Sequence, residues 1–241
     1  WAKNFKIPFR SNLKILENKL IIADTNNSLF YINKTNGNKL KAIPTEETLI
    51  MNNFVNSLAT IKENLYYLNT YGSLYSLNNN GRIKWFINLN QSIDINPTNL
   101  FNSNPIVINK DKLIISTNLF LYFIDLNSGS TLFKISISSL FRPIVSGDNL
   151  FLITKDNLLV SVNINSFKIN YSVDLEQTIA NFLDVKKKKP ISIKTLLLVN
   201  NNLFLFLNNS FFIKLDLIGE IKEISKLSSK IKSNPIFINE S

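Results

Sequence analysis

Hydrophobic residues in this chain fall in runs of four to six, the length of a β-strand, and short polar turns separate the runs. The runs come in pairs, and the pair recurs five times. The copies are Leu20-Ile21-Ile22 with Leu29-Phe30-Tyr31-Ile32-Asn33, Leu65-Tyr66-Tyr67 with Leu74-Tyr75-Ser76-Leu77-Asn78, and Leu113-Ile114-Ile115 with Leu121-Tyr122-Phe123-Ile124-Asp125. Two more follow: Leu150-Phe151-Leu152 with Leu159-Val160-Ser161-Val162-Asn163, and Leu203-Phe204-Leu205 with Phe212-Ile213-Lys214-Leu215-Asp216. From the first Leu to the closing Asn or Asp the distance is 13, 13, 12, 13 and 13 residues, whereas the closing residues recur every 38 to 53 positions. A fixed inner spacing inside a looser outer one describes rigid hairpins joined by variable loops, which is the signature of a repeat protein.

One repeat illustrates the grammar. Asn104-Pro105-Ile106-Val107 reads as a first strand, since a proline at a strand start removes no ladder hydrogen bond. Lys112 to Ser116 is a second strand, apolar enough at its centre to be covered on both faces. The turn at Thr117-Asn118 leads to a third strand, Leu121 to Asp125. Asn127-Ser128-Gly129 then turns the chain into a fourth, Thr131 to Ile135, which carries Phe133. Asn36-Gly37, Asn80-Gly81 and Gly219 occupy the same third turn elsewhere, and Trp85, Phe133 and Tyr171 follow the closing residue by 7 or 8 positions.

Four antiparallel strands in roughly 45 residues make one blade of a β-propeller. The pattern therefore predicts an all-β chain, one propeller domain over 1–241, comprising five complete blades with partial blades at both ends. Trp1 to Phe5 reads as an aromatic-bearing fourth strand, and Asn234-Pro235-Ile236-Phe237 as the opening of a further blade, so the parent ring would have seven or eight blades. Glu176 to Pro190 is expected to hold a short helix with Leu175, Ile179, Phe182 and Leu183 on one face, and Glu46 to Phe54 is a second candidate.

Composition narrows the chemistry. His and Cys are both absent, which removes the commonest general base, thiolate chemistry and any disulfide. No phosphate-binding glycine loop, metal-spaced cluster or nucleophile elbow occurs. Asp125 and Asp216 stand where Asn stands in other repeats, so their expected role is to cap a turn through side chain to backbone bonds. The net charge of +10 comes from scattered lysines rather than an Arg-rich stretch; the single run, Lys186 to Lys189, reads as a solvated loop, and no nucleic-acid partner is expected. No apolar run approaches the roughly 18 residues of a membrane span. Catalytic residues, metal and cofactor are all expected to be absent.

The grammar resembles PQQ-like repeats, best in Ser73-Leu74-Tyr75-Ser76-Leu77-Asn78 followed by Asn80-Gly81 and Trp85, and less closely in Asn36-Gly37 and in Gly129 with Phe133. That resemblance implies a propeller, and two branches of it imply different functions. The PQQ-dependent dehydrogenases use quinone and calcium, and commonly a vicinal disulfide that this chain has no Cys to form. The BamB-like branch is a scaffold lipoprotein of the outer-membrane β-barrel assembly machinery without an active site. In it an Arg just after a Trp-bearing fourth strand contacts the barrel component, and the matching stretch here is Trp1 to Ser11 with Arg10.

The similarity to that branch implies a non-enzymatic scaffold on the periplasmic face of the outer membrane. It would be peripheral to the membrane through an N-terminal lipid upstream of this chain and would bind the outer-membrane β-barrel assembly protein. Pro8, Phe9, Arg10 and Ser11 are the candidate contact, with Arg142 in Leu140-Phe141-Arg142-Pro143 as a second; Arg82 follows a turn glycine and is expected to be solvated. The branch's acidic contact residues have no clear match, since Asn52 to Ser57 offers Asn. The alternatives are a dehydrogenase-like enzyme and a general protein-interaction propeller.

Overall fold

A computed structural model describes residues 1–47, 54–90, 101–186, 190–233 and 235–237. It divides into two compact units, Trp1–Ser136 and Ile137–Ser241.

The first unit holds three four-stranded antiparallel sheets. β1 (Lys14–Leu16), β2 (Lys19–Ala23), β3 (Leu29–Asn33) and β4 (Lys39–Ile43) form the first; β5 (Ser57–Ile61), β6 (Asn64–Leu68), β7 (Ser73–Asn78) and β8 (Ile83–Asn88) the second. β9 (Val107–Asn109), β10 (Lys112–Ser116), β11 (Leu121–Asp125) and β12 (Thr131–Ile135) form the third. In each, the strands pair in sequence order. The second unit repeats the plan twice. One sheet contains β13 (Ile144–Ser146), β14 (Asn149–Ile153), β15 (Leu158–Asn163) and β16 (Ile169–Asp174). The other, after helix α1 (Leu175–Phe182), contains β17 (Ile193–Val199), β18 (Asn202–Leu207), β19 (Phe211–Leu215) and β20 (Ile221–Lys226).

The apolar middle strands follow from packing on two sides. On β6, Leu65 and Tyr67 join Ile21, Leu29 and Tyr31 of the first sheet, while Tyr66 and Leu68 join Leu113, Ile115 and Tyr122 of the third. Because side chains alternate along a strand, one sheet supplies both cores, and neither face can be polar. The fourth strands, at the outer edge of each sheet, are mostly exposed. In the second unit Phe151, Leu159, Leu203, Leu205 and Ile213 form a core of their own.

Strand boundaries in the third repeat agree with expectation except for the first strand. The segment meets the end of β10 at Ser103 and Asn104, whose N–H donates to Ser116 O at 2.8 Å. The continuous ladder begins only at Val107, because Pro105 has no N–H and the Ile106 amide donates instead to Ser57 Oγ of the neighbouring sheet, 2.9 Å away. Trp1 to Phe5 forms no strand, although the Trp1 ring is docked as a blade aromatic would be. α1 confirms the helix after β16. Asp174 caps it by accepting the Gln177 N–H, and Leu175 and Ala180 are buried, with Ile179 against the core. Phe182 and Leu183 are half exposed, since the helix ends there and its apolar face is one turn shorter than the pattern suggested. Most of the second candidate helix (48–53), most of the lysine run (187–189) and Asn234 lie outside the described residues.

One regularity escaped the sequence. All five pairings of third with fourth strand carry a register shift, and in every sheet it lies between the two residues preceding the closing Asn or Asp: Tyr31/Ile32, Ser76/Leu77, Phe123/Ile124, Ser161/Val162 and Lys214/Leu215. A bulge adds one residue to the outer strand and increases its twist.

Candidate functional site

The closing Asn and Asp residues are turn formers. Asn33 Oδ1 accepts the N–H of Thr35 and Asn36, Asn78 those of Asn80 and Arg82, and Asn163 those of Asn165 and Ser166. Asp125 accepts from Asn127 and Ser128, and Asp216 from Ile218 and Glu220. Hydrogen bonds from Ser128, backbone first, hold the Asp125 carboxyl below its ordinary value.

Above these turns sits the aromatic of the preceding fourth strand. Trp85 Nε1 donates to Leu126 O at 3.2 Å, and the Tyr171 hydroxyl to Leu217 O at 2.8 Å. Trp1 Nε1 donates to Lys34 O at 2.9 Å. Each acceptor directly follows a closing residue. Trp1 thus performs the fourth-strand role without belonging to a strand. In the first sheet Lys41 stands at the aromatic position and reaches Asn80 O and Gly81 O, both at 3.2 Å.

Pro8 to Ser11 runs as a strap between the first two sheets. Pro8 O accepts the Thr25 N–H, the Arg10 N–H donates to Ala23 O, and Arg10 O accepts the Asn56 N–H, all within 3.0 Å. Phe9 bridges Asp24 and Ser11 bridges Asn56. Ser11 Oγ accepts the Ala23 N–H at 2.9 Å, while Asn12 makes a two-pronged bond to the backbone of Leu58, at 2.7 and 2.8 Å. The Phe9 ring lies 5.1 Å from Phe5 and 5.6 Å from Phe30. The Arg10 backbone is therefore fixed on both sides, while its half-buried side chain pairs with no other side chain among the described residues.

Beneath the strap lies a buried polar cluster that sequence reasoning missed. Asp24 is 1 % exposed, and its Oδ1 accepts the N–H of Asn26 and Ser28. Burial pushes its carboxyl above the ordinary value; the two N–H bonds oppose this and Glu47 adds to it. Glu46 accepts from Ser73 Oγ at 2.7 Å, the Tyr75 hydroxyl at 2.8 Å and Asn69 Nδ2 at 2.9 Å. Burial pushes its carboxyl up, but those bonds together with its own backbone N–H outweigh it and leave the group below its usual value. Asn27 joins both parts: its carbonyl accepts from Thr45 and Tyr67, its Oδ1 from Thr70, and its Nδ2 donates to Glu46 O. Asn56 Nδ2 donates to Asp24 O at 2.9 Å. A signal for half of this was present in the sequence. Asp24, Asn69, Thr117 and Thr154 open the second turn of successive repeats as regularly as the closing residues open the third.

Arg142 lies in the second unit and is exposed. The Leu140 N–H donates to Ile153 O at 2.7 Å, and Ile153 ends its strand as Ala23 does, so Leu140 occupies the register of Arg10 and Arg142 that of Asn12. Arg82 is exposed, as expected.

Among the described residues no three His, Cys, Asp or Glu side chains gather as metal ligands. Calcium, implied by one branch of the resemblance, finds no ligand set among the described residues. Asp24 Oδ1 and both carboxylate oxygens of Glu46 already accept protein N–H and O–H groups. Among the described residues no helix is long and apolar enough to cross a membrane.

No family model and no curated protein matches the sequence. Solved structures do. The chain is similar to the crystal structure of BamB from Moraxella catarrhalis, with a TM-score of 0.69 and 13 % identity, covering 90 % of this chain and 64 % of that one. It is also similar to the quinohemoprotein alcohol dehydrogenase from Comamonas testosteroni, with a TM-score of 0.67 and 10 % identity, covering 95 % of this chain and 45 % of that one. The chain thus spans less than two thirds of either relative's length. At such identities the likeness is one of fold, the β-propeller.

Proposed function

We propose that the chain belongs to a non-catalytic scaffold of the machinery that assembles β-barrel proteins in the outer membrane, acting at its periplasmic face. In this proposal it binds the barrel component through loops between blades of one propeller. The observation that carries the proposal is the strap. Pro8 to Ser11 spends its backbone bonds on its own sheets, yet presents a guanidinium that no described side chain pairs. A pre-organised loop loses little conformational entropy on docking, and an arginine beside a fixed aromatic is a frequent interface anchor. The propeller fold shared with BamB supports the choice of partner. Arg142, on the corresponding loop of the second unit, is a subsidiary contact.

The test is a pull-down of the barrel subunit from membranes with the full-length protein. Arg10→Ala should weaken binding by roughly 1–3 kcal/mol, as loss of an anchor does, and Arg10→Glu by more. Thermal stability should stay unchanged, since the fixing bonds of Arg10 come from its backbone. Unaltered capture by both variants would reject the site.

The dehydrogenase-like alternative has comparable support from fold but lacks a fitting donor set among the described residues.

A further inference from the structure

A cleft of about 480 Å³ opens between β8 and the third sheet, walled by Ile87, Leu89, Tyr122, Gly129, Thr131 and Lys134 among others. Its size lies within the range of small-ligand sites, about 300–1,000 Å³. Ile87 and Leu89 form an apolar side continuous with the core shared by the second and third sheets. Across it, Tyr122 and Lys134 are directly opposed on neighbouring strands, so both side chains stand on the face that looks toward β8. The corresponding pairs elsewhere are Phe30 with Ala42, Tyr75 with Phe86 and Val160 with Ser172. Only the third sheet places a cation there among these.

That cation is held in position. Lys134 Nζ lies 3.8 Å from the centre of the Phe120 ring and 5.3 Å from that of Tyr122, and ring faces attract an ammonium without satisfying its three N–H donors. No carboxylate pairs with it among the described residues. Asp125, the acid of the same repeat, is turned into its own turn by Ser128 and Asn127. The Tyr122 hydroxyl likewise has no hydrogen-bond partner among the described residues. Burial holds it in the protonated form, so it too is a donor.

We propose that this cleft binds a carboxylate carried on an apolar body, with Lys134 and Tyr122 donating to the carboxylate and Ile87 and Leu89 covering the apolar part. Two oriented donors, one of them charged, suit an anionic oxygen pair, and charge-assisted bonds of this kind are about twice as strong as neutral ones. The shared chemistry covers a free aromatic acid and an acidic side chain beside an aromatic residue in a peptide. The proposal uses none of the strap residues, so it stands or falls independently of the scaffold function.

Calorimetric titration of the intact chain distinguishes the sources. The probes are 3-phenylpropanoate, its neutral amide, and a dipeptide Asp-Phe blocked at both ends. The acid or the blocked peptide should bind with a carboxylate dependence of roughly tenfold or more over the amide, about 1.4 kcal/mol. Lys134→Gln should abolish that preference, Lys134→Arg should retain much of it, and Tyr122→Phe should reduce it several-fold with the circular dichroism unchanged. Tighter binding of the free acid would assign a small-molecule ligand; tighter binding of the peptide would assign a polypeptide one. No preference of either carboxylate probe over the amide, no binding of either carboxylate probe, or a preference that survives Lys134→Gln would overturn the proposal.

Discussion

Beneath Trp85, Gly129 shows how a single missing Cβ sets the distance between two sheets. Its φ is +76°, and a Cβ built there would lie 2.6 Å from the indole ring, closer than any packing tolerates. Gly37 stands in the same relation to the Trp1 ring, with φ +70°. Gly147 has a positive φ as well, but open space where its Cβ would be. Gly147→Ala should therefore cost only the left-handed backbone penalty, about 1–2 kcal/mol. Gly129→Ala should add an overpacking term of about 1–3 kcal/mol, measured by denaturant unfolding with Trp fluorescence as the reporter. Equal losses would show that the ring moves aside freely.

The buried Asp24 and the half-buried Glu46 predict a pH dependence of known sign. Glu46 titrates below its ordinary value of 4.5 in the folded chain. Its contribution is complete above that value and is lost as pH falls through the lower folded value. Asp24 is raised above 3.8, so protonation relieves its burial and its slope runs the other way. Glu46→Gln should lower stability at neutral pH yet flatten the loss below about 4.5; urea midpoints across that range would check it, and an unchanged acid slope would contradict the assignment.

At the scale of elements, the strap and the sheets depend on each other through side chains that stand in for backbone. Asn12 satisfies both the N–H and the carbonyl of Leu58, replacing the neighbour a longer strand would have supplied. Asn12→Ala leaves both groups unpaired and should cost about 1–3 kcal/mol. Amide exchange at Leu58 should accelerate, whereas Arg10→Ala should leave that amide protected because Arg10 engages through its main chain. Protection of Leu58 in Asn12→Ala would show that water replaces the side chain without loss.

The elements themselves were largely legible. β10, β11 and β12 begin and end where the alternation of apolar runs and turns placed them. The ladder of β9 breaks between Asn104 and Val107, because Pro105 has no N–H and the Ile106 amide donates to Ser57 in another sheet, and a partner 49 positions away leaves no local mark. The helix after β16 was foreseen from periodicity, but its apolar face stops at Ile179 and Ala180 because what covers a helix is set by its neighbours.

For the whole molecule, the five four-stranded sheets of the described residues and their likeness to BamB and to a quinohemoprotein dehydrogenase show the fold, and the fold alone does not choose between the proposed scaffold and a dehydrogenase-like enzyme. Quinone and calcium titrations separate them. The scaffold proposal expects no stoichiometric quinone binding and no change in melting temperature on adding Ca²⁺. Tight quinone binding or calcium-dependent alcohol oxidation by the full-length protein would establish the enzyme instead.

The sequence by itself determined the blade: strand number, turn positions, and the role of Asn33, Asn78, Asp125, Asn163 and Asp216. Each of these rests on interactions within a few residues, and repetition made them visible five times over. Only the tertiary structure decided which residues of one blade serve the next. Trp1 acting as a blade aromatic outside any strand, Lys41 doing so in place of a ring, Arg10 held by Ala23 and Asn56, the Asp24–Glu46 cluster and the Lys134–Tyr122 cleft all join repeats. A repeat spacing of 38 to 53 residues fixes that such partners exist, but side-chain bonds between sheets depend on their separation and twist, which packing alone sets.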